Sequence, residues 1–126
     1  MRMAKTYDNE SAKQLLPLLR SITREMHDRR RTIRRLEGRE MALRASAGER
    51  GATLDHGEME RLGSDLATER QALRLAEMEL DHLGCSVSED EAITVLIPGS
   101  RGEFTDGFAW SLEENLLRPL SADSAA

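Results

Sequence analysis

Between Leu15 and Leu83, apolar residues recur in alternating steps of four and three. The first run is Leu15, Leu19, Ile22, Met26, Ile33, Leu36 and Leu43, and the second is Met59, Leu62, Leu66, Leu73, Ala76, Leu80 and Leu83. Arg29 and Glu40 interrupt the first run, and Glu69 interrupts the second. Side chains that repeat every 3.5 residues lie on one stripe of a helix, whereas a strand alternates every second residue. Each run therefore demands a long helix, and each helix needs a partner for its stripe. Gly48 and Gly51 stand between the runs and offer a reversal.

If the chain doubles back there, facing residues have numbers that add up to about 98 or 99. Leu15 then meets Leu83, Ile22 meets Ala76, Leu36 meets Leu62, and Arg29 faces Glu69. Two polar breaks thus land opposite each other in a register set only by the turn. Two readings of Arg29 and Glu69 stay open: a charged pair that fixes the register, or two side chains that reach past the seam to solvent.

Charge supports the same pairing. The net charge of -5 conceals an asymmetry: Lys13 to Arg50 holds eleven Lys and Arg against five acids, and Asp55 to Leu83 three Arg against eight acids. A basic helix laid along an acidic one compensates both. A charged fraction of 33% with 3% aromatic residues suits a helical protein with a large surface for its core.

The 126 residues, 14.1 kDa, predict one domain, 1–126. No apolar run approaches the roughly 20 residues that cross a bilayer, and Met1 to Glu10 lacks a signal-peptide core. The expectation is a cytoplasmic protein with no membrane association. Cys85 is alone, which precludes an intrachain disulfide, suits a reducing compartment and marks it as an inert packing residue.

In chain order, Met1 to Thr6 carries no pattern. Asp8 reads as the N-cap of helix one, 8–46, with Glu10 in its first turn. Pro17 predicts a kink near Lys13 to Leu16, or a short first turn and a restart. Leu15, Leu16, Leu18 and Leu19 make a wider apolar face than a seam needs, so something else should cover that end. A loop, 47–55, leads to helix two, 56–83, started by an Asp55 and Glu58 capping box with a Leu54 and Met59 staple, and stopped by Gly84.

The β-branched run Ile93 to Ile97 ends at Pro98, and Phe104, Phe108, Trp110 and Leu112 alternate on one face. Residues 92–112 therefore read as a β-hairpin, with Asp106 and Gly107 as either the tight turn or a bulge. Its aromatic face should cover the Leu15 to Leu19 patch or a second subunit. Ser111 with Glu114 predicts a short helical turn through Leu117 before Pro119, and 121–126 should be a disordered tail. The fold class is mainly α: a long antiparallel two-helix coiled-coil hairpin with a small C-terminal β-hairpin.

Two stretches carry a family resemblance. The first is Tyr7-Asp-Asn-Glu-Ser-Ala-Lys-Gln-Leu-Leu-Pro-Leu-Leu-Arg20. The second is the order after helix two: Leu83-Gly-Cys-Ser-Val87, a β run into Pro98, then Trp110, Leu112 and Glu114. On these the chain resembles a bacterial family known as domain of unknown function 2203, with its Phe-Pro and Cys-Trp-Arg-Leu-Gly-Glu signatures. The family's Cys before the tryptophan is Ala109 here, and its His-containing strand and Gly-Phe segment are missing, although Arg118-Pro119-Leu120 is similar to its ending. The resemblance implies a small cytoplasmic bacterial protein with a helical hairpin and a β element, and it brings no activity to transfer.

No residue pattern points to catalysis, a cofactor or a metal. His27, His56 and His82 are scattered, His56 with Glu60 is an ordinary helical pair, and no phosphate loop, nucleophile elbow or Cys-x-x-Cys occurs. Glu58, Glu60, Glu77 and Asp81 read as solvated acids. Arg30, Arg31, Arg34, Arg35 and Arg39 form a basic stripe that could contact phosphates, opposed by the acidic second helix and the pI near 5.3. Leu75, Met78, Met41 and Ala45 lie off the seam, where a second hairpin could dock. The expected function is a non-enzymatic structural or protein-interaction module, a homodimer with an unknown protein partner, with nucleic-acid binding as the alternative.

Overall fold

The computed structural model describes residues 5–50, 56–88 and 92–120. In order these form α1 (Asn9–Arg50), α2 (His56–His82), β1 (Ser86–Val87), β2 (Thr94–Ile97), β3 (Phe108–Ser111) and β4 (Leu117–Pro119). The helices pair as an antiparallel hairpin, followed by a four-stranded antiparallel sheet. The chain divides into two compact units, Asp28–Leu75 and Met1–His27 with Ala76–Ala126.

In the unit carrying the sheet, α1 starts where the sequence indicates. The Asp8 carboxylate accepts the Ser11 N–H at 2.8 Å, and the Ser11 hydroxyl oxygen accepts the Asp8 N–H at 2.9 Å. That is a capping box with serine in the reciprocal role, and the hydrogen bonds from Ser11 hold the Asp8 carboxyl below its usual range. α1 runs as one helix through Pro17, without the expected restart. Pro17 withholds an N–H from the Lys13 carbonyl, and both residues are exposed, so water can take its place.

α2 ends in a Schellman motif. Gly84, at φ +79°, donates its N–H to Asp81 O at 2.9 Å, and Cys85 donates to Leu80 O at 3.0 Å. Tyr7 adds its hydroxyl, which donates to Leu83 O at 2.7 Å. A Cβ at Gly84 would also come within 2.8 Å of Lys5 Cβ, so conformation and crowding both select glycine.

The sheet is larger than the two-stranded hairpin expected, because β1 and β4 flank β2 and β3 in the order β1-β2-β3-β4. Val95 pairs with Trp110, and Trp110 with Leu117, so these share the inner face with Val87, Ile97 and Phe108. Val95, Ile97 and Trp110 are buried there. Ser86, Thr94, Leu96, Ala109, Ser111 and Arg118 take the outer face by the same register. Asp106 and Gly107 form neither a strand bulge nor a two-residue hairpin turn: Gly107 donates to Phe104 O at 3.0 Å and closes a turn before β3 begins. Phe104 therefore leaves the aromatic face and is exposed.

The helical turn expected after Ser111 forms only as a single turn. The Ser111 hydroxyl accepts the Glu114 N–H at 3.1 Å, but Asn115 adopts φ +53° and the chain re-enters the sheet as β4. Leu120 N–H points back to Gly107 O at 2.9 Å, so by alternation Pro119 sits where its N–H would have faced outward. A proline there denies the free edge of β4 a donor.

In the unit Asp28–Leu75, α1 continues to Arg50, past the expected end at 46, and Gly48 is helical. Ala45, Ala47 and Glu49 are strong helix formers, which a reading based on the apolar seam underweighted. The expected Gly51 turn, the Leu54 staple and the Asp55 cap lie outside the described residues, as does the 121–126 tail. Ile33, Leu62 and Leu66 are buried, and Leu36, Leu43, Met59 and Leu73 are half-buried.

Candidate functional site

The strongest concentration of charge, the arginine face of α1, lies in the unit Asp28–Leu75. Arg29 Nη1 donates to Glu69 Oε2 at 2.9 Å, with both side chains part-buried. Arg39 Nη2 donates to Glu58 Oε1 at 2.9 Å, and Arg70 of α2 reaches Glu37 at 3.0 Å. The first two pairs join residues whose numbers add up to 98 and 97, in line with the register read from the seam. Leu36 and Leu62 agree with it, since both line one groove.

Of the five arginines singled out for phosphate contact, Arg39 is thus tied to α2, and Arg30 and Arg34 are also partnered within the protein. Arg31 and Arg35 are exposed and one helical turn apart, and with Asp28 and Thr32 they line a recess of about 320 Å³. The Thr32 hydroxyl is already committed to Asp28 O at 3.0 Å, and the Asp28 carboxylate offsets part of the positive potential.

A second recess, about 230 Å³, lies between α1 and α2 and is lined by Leu36, Arg39, Glu58, Arg61, Leu62 and Asp65. Its floor is apolar and its rim is charged with both signs. Among the described residues no group of three or more His, Cys, Asp and Glu comes together as a metal site.

The unit carrying the sheet has a different chemistry. Cys85 is buried, and burial pushes its thiol up to about 11, so at neutral pH it is a protonated packing residue and a poor nucleophile. Burial also raises the Tyr7 phenol, with a smaller contribution from Cys85.

Asn115, which sequence reasoning missed, joins three elements. Its Oδ1 accepts from Arg20 Nη2 of α1 at 2.7 Å and from the buried Trp110 Nε1 of β3 at 3.1 Å, and it leads into β4. The signal in the sequence was an asparagine one residue past a capped turn, where a left-handed conformation is best tolerated. Close by, Thr94 and Ser111 are cross-strand partners on the outer face, in a small recess of about 130 Å³ walled by Glu114, Leu116 and Arg118. Glu114 and Arg118 pair with each other there.

No curated protein and no solved structure matches the chain. The family described as Uncharacterized conserved protein (DUF2203) matches residues 5–118, from the segment that leads into the Asp8 cap through Arg118 of β4. The match takes in both helices and nearly the whole sheet, and on that extent the chain belongs to the DUF2203 family.

Proposed function

We propose that this protein is a non-enzymatic interaction module that self-associates as a homodimer, in the cytoplasm, through its helical hairpin. One observation carries the reading: two arginines of the basic helix α1 are matched by carboxylates of α2, Arg29 by Glu69 and Arg39 by Glu58. Charge compensated inside the hairpin is withdrawn from phosphates, and coiled-coil packing of the seam uses the same pairing. Among the charged side chains that the helices present outward stand a few large apolar ones: Met41 on α1 and Leu75 on α2 are exposed, as is Met78 farther along α2. Such side chains suit docking against protein surfaces.

Nucleic-acid binding is the second reading, and Arg31 and Arg35 favour it because no described residue pairs with them. Two measurements separate the readings. Sedimentation equilibrium at micromolar concentration is expected to give twice 14.1 kDa, and a constant mass of 14.1 kDa would contradict the homodimer. A gel-shift titration at two salt concentrations is expected to show no complex, whereas affinity falling steeply with salt would favour phosphate contacts.

A further inference from the structure

We infer that the groove in the unit Asp28–Leu75 is the docking surface for a second copy of this chain, α2 lying antiparallel to α2 about a two-fold axis level with Gly63. The inference rests on the homodimer reading and names its surface. Leu62 is buried and Leu36 half-buried at the groove floor, and across it Arg39 and Glu58 satisfy each other. Arg61 and Asp65 are different. They carry opposite charges one helical turn apart on α2, both exposed, and neither pairs with the other or with another described residue.

Opposite charges four residues apart become self-complementary when a helix meets its own copy head to tail. A two-fold axis level with Gly63 brings Arg61 beside Asp65 of the partner subunit, and Asp65 beside Arg61 of the partner subunit, so that one patch makes two ion pairs. Parallel docking in register would oppose like charges and is disfavoured. At the surface of a single chain these charges contribute little, while at a contact they fix orientation.

A second pattern on α2 supports the same face. Arg61, Asp65, Thr68, Ala72 and Leu75 repeat the steps of four and three on the flank of the seam. α2 therefore carries two adjacent stripes, one for its partner in the hairpin and one beyond it, as helices do in four-helix arrangements. About an axis level with Gly63 the two copies of α2 overlap from His56 to Arg70, and within that span Thr68 is small enough to allow close approach.

The test uses the full chain and charge exchange. Sedimentation equilibrium over a concentration series gives the dimer constant for wild type, R61D, D65R and R61D/D65R, with circular dichroism to confirm helix content. Each single exchange opposes like charges twice about the axis and is expected to weaken the dimer about tenfold or more, while the double exchange restores it to within about threefold. If a single variant loses helix, T68E decides instead: it sets a carboxylate level with Glu58 of the partner subunit and is expected to give single chains. Singles that dimerise as wild type, a double no better than the singles, or an unaffected T68E would overturn this surface and leave the homodimer standing. A wild type that stays at 14.1 kDa throughout would overturn both.

Discussion

The unit Asp28–Leu75 buries Ile33, Leu62 and Leu66, whereas the unit carrying the sheet hides Trp110, Leu19, Met26, Leu80, Ile93, Ile97 and Val95 almost completely. The first unit supplements its thin apolar seam with ion pairs between side chains, at Arg29 with Glu69 and Arg39 with Glu58. The second relies on close backbone approach and directed hydrogen bonds: a Cβ at Gly107 would fall 1.9 Å from Ile97 O, and Asn115 accepts from both Arg20 and Trp110. A periodic seam spreads its stabilisation over many equivalent positions, whereas a compact core concentrates it in a few.

The largest expected effect breaks the concentrated core. Trp110→Ala removes a fully buried side chain together with the Nε1 donor to Asn115, and is expected to cost about 3–5 kcal/mol by urea denaturation. Leu62→Ala in the other unit borders an open groove and is expected to cost nearer 2 kcal/mol. Amide hydrogen exchange sharpens the contrast, since loss of protection should centre on β2 and β3 for the first variant and on residues 56–75 for the second. The same protection map for both variants would erase the distinction between the units.

Next in size is a pH effect confined to the unit with the sheet. The Cys85 thiol is raised to about 11 in the fold, above its value in an unfolded chain. The folded state therefore holds that proton more tightly, and its contribution is fully present below about pH 8.5 and is lost as pH rises toward 11. About 2 kcal/mol should disappear over that window, with Tyr7 titrating in the same sense, and Cys85→Ala should reduce the loss. Stability in wild type that stays level from pH 8.5 to 11 would contradict a buried neutral thiol.

The smallest effect belongs to the ion pairs. Arg29→Ala or Glu69→Ala is expected to cost about 1 kcal/mol, and the double variant less than the two single costs together, because each single change takes the ion-pair partner from a part-buried charge. Strict additivity in a denaturation cycle would mean that the pair contributes nothing to the register.

How much could be read from the sequence follows the same division. Spacing alone located the seam, for every position named in it proved buried or half-buried, including the polar breaks at Arg29, Glu40 and Glu69. Local chemistry located the Asp8 cap and the Gly84 stop, because each depends on a few neighbouring residues. The arginine stripe was legible as a stripe, but not the division between Arg39, held by Glu58, and the exposed Arg31 and Arg35, which depends on what the second helix brings opposite.

The sheet edges were hidden for physical reasons. β1 has two residues, too few for any period to show, and β4 carries a proline, which usually argues against a strand. Ser111 and Glu114 gave a true capping signal, and the left-handed turn at Asn115 that ended the helix after one turn is made where Arg20 reaches in from a distant part of the chain.

The antiparallel register of the hairpin underlies the ion pairs, the groove and the docking surface. It is tested most directly by a disulfide between L36C and L62C in a C85A background, since Leu36 and Leu62 line one groove from opposite helices. Under mild oxidation at low protein concentration, an intrachain bridge should form in high yield and raise the urea midpoint. Thiols that stay free, or that link only between chains, would contradict the register.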